Sequence, residues 1–310
     1  MKKVVILWLI ATFTMLFAHD VQIISIDNKD GKITPKTIED IFKSNGFYIS
    51  DNRDMNTPFM KQFKQTDFKV YNLFTAYHSQ SVKNLAKEYP RIGLLTPMSM
   101  SIYTRKGENK LYVSSLTLEA MSKITAIPVT NKDLQNIAKI TKNLLEVALP
   151  KGKWETIDYG VAPMEKELVT KTNITLKDGQ WQEDSESLIE EFEGNIEMQG
   201  FVQAGYNDIN YYFKEAGDKT FDLFVSESIC KLPVIYAVAK TRPEAGAFAP
   251  CSVMIYKKHS DNIMYVEYPN VYNWISSLTI VDKESLKELL EAQAKMEVIL
   301  YNLKADYNKF

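Results

Sequence analysis

The sequence contains few of the residues that most often build reactive centres. Among its 310 residues are two cysteines, three histidines and 12 glycines. His19, His78 and His259 lie far apart, and there is no His-x-His or Cys/His cluster of the kind that holds zinc. With so few glycines and no Gly-x-Gly-x-x-Gly motif, little of the chain could cradle a phosphate group. We therefore predict no metal site, no cofactor and no catalytic residue, and the sequence favours a non-catalytic protein over an enzyme.

The chain also lacks an excess of either charge. Its 37 basic and 39 acidic residues give a formal net charge of −2. Nucleic acids and anionic lipids attract strongly basic surfaces, so we expect no nucleic-acid partner. No apolar run after residue 17 approaches the ~20 residues that cross a bilayer. We therefore expect no membrane span in the mature chain.

The first 18 residues have the three parts of a secretory signal peptide. Lys2 and Lys3 precede an apolar run from Val4 to Phe17, and Ala18 supplies a small residue at the end. Cleavage after Ala18 would place the protein in the periplasm or outside the cell. The alternative is a retained membrane anchor, for which the apolar run is short.

One pattern occurs twice, 153 residues apart. "YPRIGLLTPMSMSIY" spans residues 89–103, and "RPEAGAFAPCSVMIY" spans residues 242–256. The shared proline and glycine positions are Pro90, Gly93 and Pro97 in the first stretch and Pro243, Gly246 and Pro250 in the second. Proline ends the preceding helix and fixes the approach to the next strand, and glycine permits a turn at positive φ. We predict that these six residues are structural turn positions that bend a helix into a hairpin.

The spacing of 153 continues well beyond these stretches, which indicates a duplicated domain. Each copy alternates short strands with helices and contains a local hairpin, a pattern typical of an α+β fold. We predict two similar domains, each a mainly antiparallel sheet with helices packed on one face. The first copy covers residues 19–150, a linker covers residues 151–166, and the second copy covers residues 167–310. Two such copies can pack as an intrachain pseudo-dimer with a shared cleft.

The second copy resembles a known family. The segment "FDLFVSESICKLPVIYAVAKTRPEAGAFAPCSVMIYKKHSDNIMYVEYPNVYNWI" is similar to the domain of unknown function 302 family, including the Pro250–Cys251 step. In the first copy, Met98 stands at the cysteine position and Tyr77 stands where Cys230 occurs in the second. The resemblance is clearest over residues 68–130 and 221–282. It implies a compact α+β fold and no established activity.

Cys230 and Cys251, the only cysteines, both lie in the second copy. An exported chain with an even cysteine count favours a structural disulfide between them, closing a loop of about 22 residues. Two buried free thiols, a functional dithiol and metal ligation remain alternatives. The Cys-x-x-Cys motif of many redox catalysts is missing.

Taken together, these patterns predict an exported tandem-domain protein that binds an unknown small molecule or protein without catalysis. The alternative is an envelope thiol-redox or metal-handling protein that uses Cys230 and Cys251.

Overall fold

The computed structural model describes residues 19–164 and 166–307. The predicted signal peptide, residues 1–18, lies outside the described residues, so export remains a prediction. Within the described ranges, no helix is long and apolar enough to cross a membrane.

The first half of the chain forms a six-stranded antiparallel sheet with the strand order β2-β3-β4-β5-β1-β6. Its strands are β1 (Val21–Asp27), β2 (Phe47–Asp54), β3 (Phe68–His78), β4 (Met98–Arg105), β5 (Lys110–Leu116) and β6 (Lys153–Trp154). Its helices are α1 (Pro35–Ser44), α2 (Asn56–Phe63), α3 (Ser79–Ala86), α4 (Leu118–Thr125) and α5 (Lys132–Ala148), and a first 3-10 helix spans Pro90–Leu95.

The second half forms a five-stranded antiparallel sheet with the strand order β7-β11-β10-β9-β8. Its strands are β7 (Val169–Thr175), β8 (Val202–Asp208), β9 (Phe221–Cys230), β10 (Cys251–Lys258) and β11 (Ile263–Pro269). Its helices are α6 (Trp181–Met198), α7 (Tyr211–Lys214), α8 (Leu232–Thr241), α9 (Tyr272–Ser277) and α10 (Lys283–Tyr307), and a second 3-10 helix spans Pro243–Phe248.

The two halves have the same element order and the same strand order apart from the additional strand β6. Strands β3, β4 and β5 and the first 3-10 helix each begin 153 residues before their counterparts in the second half. The predicted α+β class with antiparallel sheets is therefore confirmed. Strand β6 lies in the predicted linker and extends the first sheet by pairing with β1.

Local sequence explains where helix α1 begins and which face it buries. The Thr34 side chain caps the helix by accepting a hydrogen bond from the Thr37 amide, and the Thr37 side chain accepts one from Thr34 in return. Pro35 occupies the first turn, where its missing N–H costs nothing. The helix then buries Ile38 and Phe42 on one face, so its amphipathic pattern determines which side meets the sheet.

The first sheet is covered on both faces. The Phe42 ring of α1 packs edge-on against Phe74 of β3, with ring centroids 5.3 Å apart. The neighbouring residue Leu73 points the opposite way and meets Gly246 of the second 3-10 helix. Seven of the eight residues of β4 are buried as a result. Helix α1 thus lies on one face of the sheet, and the second half of the chain lies on the other.

Each 3-10 helix lies against the sheet of the opposite half. A Cβ atom built on Gly93 would come 2.8 Å from Cε2 of Phe224 in β9. A Cβ atom built on Gly246 would come 2.4 Å from Cβ of Ser101 in β4. Neither glycine has a positive φ, so the predicted reason for glycine is wrong. Glycine is needed because the backbone approaches the partner sheet too closely for a side chain.

Candidate functional site

The contact between the halves is built from matching pairs of residues. The Ser99 hydroxyl donates to the Pro250 carbonyl at 3.0 Å, and the Ser252 hydroxyl donates to the Pro97 carbonyl at 3.2 Å. Both prolines follow cis peptide bonds. Because Ser99 and Ser252 are counterparts 153 residues apart, and so are the two prolines, one contact is repeated in each direction. Pro97, Pro250 and the two turn glycines therefore meet at one interface.

Further polar groups cross this interface. The Arg91 Nε atom lies 2.6 Å from Oε2 of Glu267, which is largely buried. The Tyr71 hydroxyl donates to the carbonyl of Pro243 at 3.1 Å. The Tyr159 hydroxyl, in the segment joining the halves, donates to the buried Glu244 carboxyl at 2.6 Å. Burial raises the pKa of Glu244. The halves are therefore packed together, and the shared cleft predicted between them is largely closed.

A cavity of about 130 Å³ remains where the halves meet. Most of its wall is apolar, and it includes Met55 and Leu73 of the first half and Leu232 of the second. Arg53 and Asp51 also line it and form an ion pair of 2.8 Å. This cavity can hold a small apolar molecule beside one ion pair.

A second cavity of about 50 Å³ lies inside the second half, among β9, β10, α8 and α10. Its wall is almost wholly apolar and includes Trp274 and Met296. Cys230 and Pro250 line both cavities, and Cys251 lines the second. The Pro250–Cys251 step therefore lies beside the two spaces that could accept a ligand.

The predicted disulfide is wrong, because Cys230 and Cys251 are both free thiols in the structure. Strand register explains this result. Cys251 pairs across the ladder with Ile229, and successive residues of a strand point to opposite faces. Cys230 is therefore one residue away from the position that faces Cys251.

The two thiols are poor candidates for redox chemistry. Burial raises the pKa of both Cys230 and Cys251 to about 12, so the reactive thiolate is scarce at neutral pH. Among residues 19–164 and 166–307, no three His, Cys, Asp or Glu side chains converge as metal ligands would.

Sequence analysis missed the charged groups of the first half that line the cavity between the halves. Arg53 and Asp51 lie on β2 and reach the cavity only because that edge strand lies beside β8 of the other half. Sequence analysis also missed Glu227, a fully buried carboxyl on β9. A signal for Glu227 was present, since Phe221, Leu223, Val225 and Ile229 occupy the alternating positions around it.

Comparisons with known proteins match part of the chain. No curated protein matches the chain. A crystal structure of an uncharacterized conserved protein DUF302 from Bacillus stearothermophilus is similar over 46% of this chain and 99% of that chain, with 15% sequence identity and a TM-score of 0.34. The model of the family "Domain of unknown function DUF302" matches residues 180–303, which include the segment 221–282 of the sequence resemblance. Residues 180–303 of the chain therefore match the DUF302 family.

Proposed function

We propose that this chain is an exported, non-catalytic binding protein that takes a small apolar molecule between two copies of one domain. The copies are residues 19–150 and 167–310, joined by the linker 151–166. Residues 1–18 direct the chain to the periplasm or out of the cell. The shared strand order and the 153-residue spacing of the elements support the two copies.

The observation that carries the proposal is the apolar cavity at the meeting point of the halves. Its volume of about 130 Å³ is close to the ~150 Å³ of apolar cavities that bind benzene. Drug-sized ligands need about 300–1,000 Å³, so the ligand is small. The ligand would contact residues of both halves. A single half could therefore not form this binding site.

The thiol-redox alternative has weaker support. A redox or metal-binding thiol needs its thiolate form, and burial keeps both thiols protonated. The apolar surroundings of Cys230 and Cys251 suit a packing role beside the ligand space.

Binding of benzene to the full chain tests the proposal. We expect benzene to raise the melting temperature, because it binds the folded state alone. Ala204→Met should fill the cavity that Ala204 lines and remove this increase, whereas Ala294→Met on the exposed side of α10 should retain it. No increase with the unaltered chain, or an equal increase with Ala204→Met, would overturn the proposal.

A further inference from the structure

A groove of about 450 Å³ runs between the second half of α6 and the edge strand β8. It shares Val202 with the cavity between the halves and Phe201 with the cavity inside the second half, but its other wall residues carry a different chemistry. Three carboxylates of α6 line it, from Glu190, Glu193 and Glu197, and Gln203 of β8 lies opposite. None of the ion pairs among the described residues includes these three glutamates. The groove is therefore lined by three carboxylates that form no ion pair within the described ranges, and the Lys231 ammonium lies over the ring of Phe201, 5.3 Å from its centroid.

The three carboxylates form a row rather than a cluster. Residues three and four positions apart share one face of a helix, and each residue advances the helix by about 1.5 Å. Glu190 and Glu193 are thus separated by about 4.5 Å along the axis, and Glu193 and Glu197 by about 6 Å. The described residues include no site where three such ligands converge on one ion. A row with these intervals fits a linear molecule carrying several positive groups.

A second observation at the same place is the buried carboxyl of Glu227. The Gln203 side-chain amide donates to Oε1 of Glu193 at 2.9 Å and to Oε2 of Glu227 at 3.1 Å. Glu227 is fully buried, and its Oε1 atom has no hydrogen-bond partner. One amide therefore connects a carboxylate of the groove with an incompletely paired carboxyl directly behind the groove wall. A buried acidic group of this kind is costly unless a donor or a cation compensates it.

The groove also has an aromatic neighbour. Tyr206 of β8 pairs with Glu227 across the ladder, so both side chains point to the same face of the sheet, and Tyr206 remains 50% exposed. Carboxylates beside an aromatic ring are suited to organic ammonium groups, which gain both ion pairing and cation–π attraction. Phe201 and Val202 add apolar surface for an alkyl chain.

We propose that this groove binds a linear diamine or polyamine. Its ammonium groups would pair with the row of glutamates, and its methylene groups would lie along Phe201 and Val202. The bound positive charge would also compensate the buried carboxyl of Glu227, whose Oε1 atom has no hydrogen-bond partner. Binding at this surface is additional to the proposed function and does not depend on it.

Proton linkage gives the proposal a distinctive signature. Burial, together with the nearby Glu193 carboxylate, raises the pKa of Glu227 to about 7. The groups facing Glu227 are Glu193 of α6, Gln203 and Tyr206 of β8, and the apolar Val253 that pairs with it from β10. An ammonium group held beside Glu193 favours the charged form of Glu227 and lowers its pKa. Binding near pH 7 should therefore release protons.

Calorimetric titration of the full chain with 1,4-diaminobutane at pH 7 and low salt tests the proposal. We expect saturable binding, weaker binding of butylamine, and no binding of the neutral 1,4-butanediol. The double variant Glu193→Gln/Glu197→Gln should weaken diamine binding at least tenfold. The matched variant Glu183→Gln/Glu186→Gln, which removes the same charge from the first half of α6, should bind as the unaltered chain does.

Two further readouts keep the outcome clear. Titrations in buffers of different ionisation enthalpy should show proton release that Glu227→Gln abolishes while circular dichroism confirms the fold. Benzene stabilisation should persist in the groove variants, so failure here is separate from failure of the proposed function. No saturable diamine binding, or equal weakening by both double variants, would overturn the assignment of the groove.

Discussion

Gly246 has less space around it than any residue with a side chain could accept. A Cβ atom there would lie 2.4 Å from Cβ of Ser101 and 2.9 Å from Cδ2 of Leu73. Both neighbours belong to the opposite half and are themselves buried, so neither can move away without opening the interface. Close approach of two backbones, rather than a special φ, is what this position requires.

Gly246→Ala should therefore destabilise the protein by about 3 kcal/mol, the upper part of the usual range for overpacking. Urea denaturation followed by circular dichroism measures this loss. Gly194→Ala is the matched control, because a Cβ atom at that helical position would meet nothing within 4 Å. The control should be stabilised by about 0.5–1 kcal/mol, since alanine is the better helix former. Equal effects of the two substitutions would contradict the reciprocal packing.

Glu227 should make stability depend on pH between about 4.5 and 7. Its folded-state pKa is raised from the ordinary value of 4.5 to about 7, so the folded state holds a proton that the unfolded state has lost. Folding stability should fall as pH rises through this window, by up to about 3 kcal/mol, and remain constant above it. Glu227→Gln keeps the shape without the ionisation and should remove this part of the pH dependence.

The comparison is made by denaturation at pH 5 and pH 8 for the unaltered chain, Glu227→Gln and the exposed control Glu186→Gln. The control should retain the full difference between the two pH values. A Glu227→Gln variant with the same pH dependence as the unaltered chain would show that Glu227 ionises normally.

The two cysteines should behave as protected thiols. Because burial raises the pKa of both to about 12, the folded protein should react slowly with iodoacetamide at pH 8. Unfolding without a reductant should expose two reactive thiols per chain, as counted by mass spectrometry after alkylation. Zero thiols under these conditions would restore the disulfide that the sequence predicts.

At the scale of elements, Ser99 and Ser252, the second residues of β4 and β10, join each strand to a proline of the opposite half. Ser99→Ala and Ser252→Ala each leave a buried proline carbonyl without its donor. We expect a loss of about 1–2 kcal/mol from each substitution. The control Ser44→Ala removes a hydrogen bond at an exposed helix end and should change stability little. Losses at Ser99 and Ser252 no larger than this control would argue against the paired contacts.

The elements themselves were largely predictable, because they depend on local sequence. Thr34, Pro35 and Gly46 bracket α1, and the 153-residue spacing fixes where the later strands begin. The reciprocal contact of the 3-10 helices was not predictable, since it depends on which residues of a distant sheet face Gly93 and Gly246. The disulfide prediction failed on a related detail. A single position in the β9–β10 register determines which residue faces Cys251.

The site was less predictable than the fold. Cys230 and Pro250 were identified from the sequence and do line the cavities, although not in the role expected for the cysteine. Arg53 and Asp51 could not be found, because nothing in their local pattern indicates that β2 lies beside β8. Glu227 could have been found, since an acidic residue interrupts an apolar alternation and such interruptions often mark functional positions.

At the scale of the whole molecule, the halves should unfold together. Each 3-10 helix completes the core of the opposite half, so neither sheet can keep its packing alone. Calorimetry of the full chain should show one transition, and Gly246→Ala should shift that transition without dividing it. Two separated transitions, or faster hydrogen exchange in only one sheet of the variant, would indicate independent domains.

The stacking of Phe63 in α2 on Tyr236 in α8, with ring centroids 3.8 Å apart, belongs to the same contact between halves. When two such domains are separate chains, the fraction that forms this contact depends on protein concentration, and the pair dissociates on dilution. A short tether between them sets an effective concentration near the millimolar range, whatever the total concentration of the protein. The joined arrangement therefore survives dilution, and the two halves can carry different side chains at matching positions, as Met98 and Cys251 do.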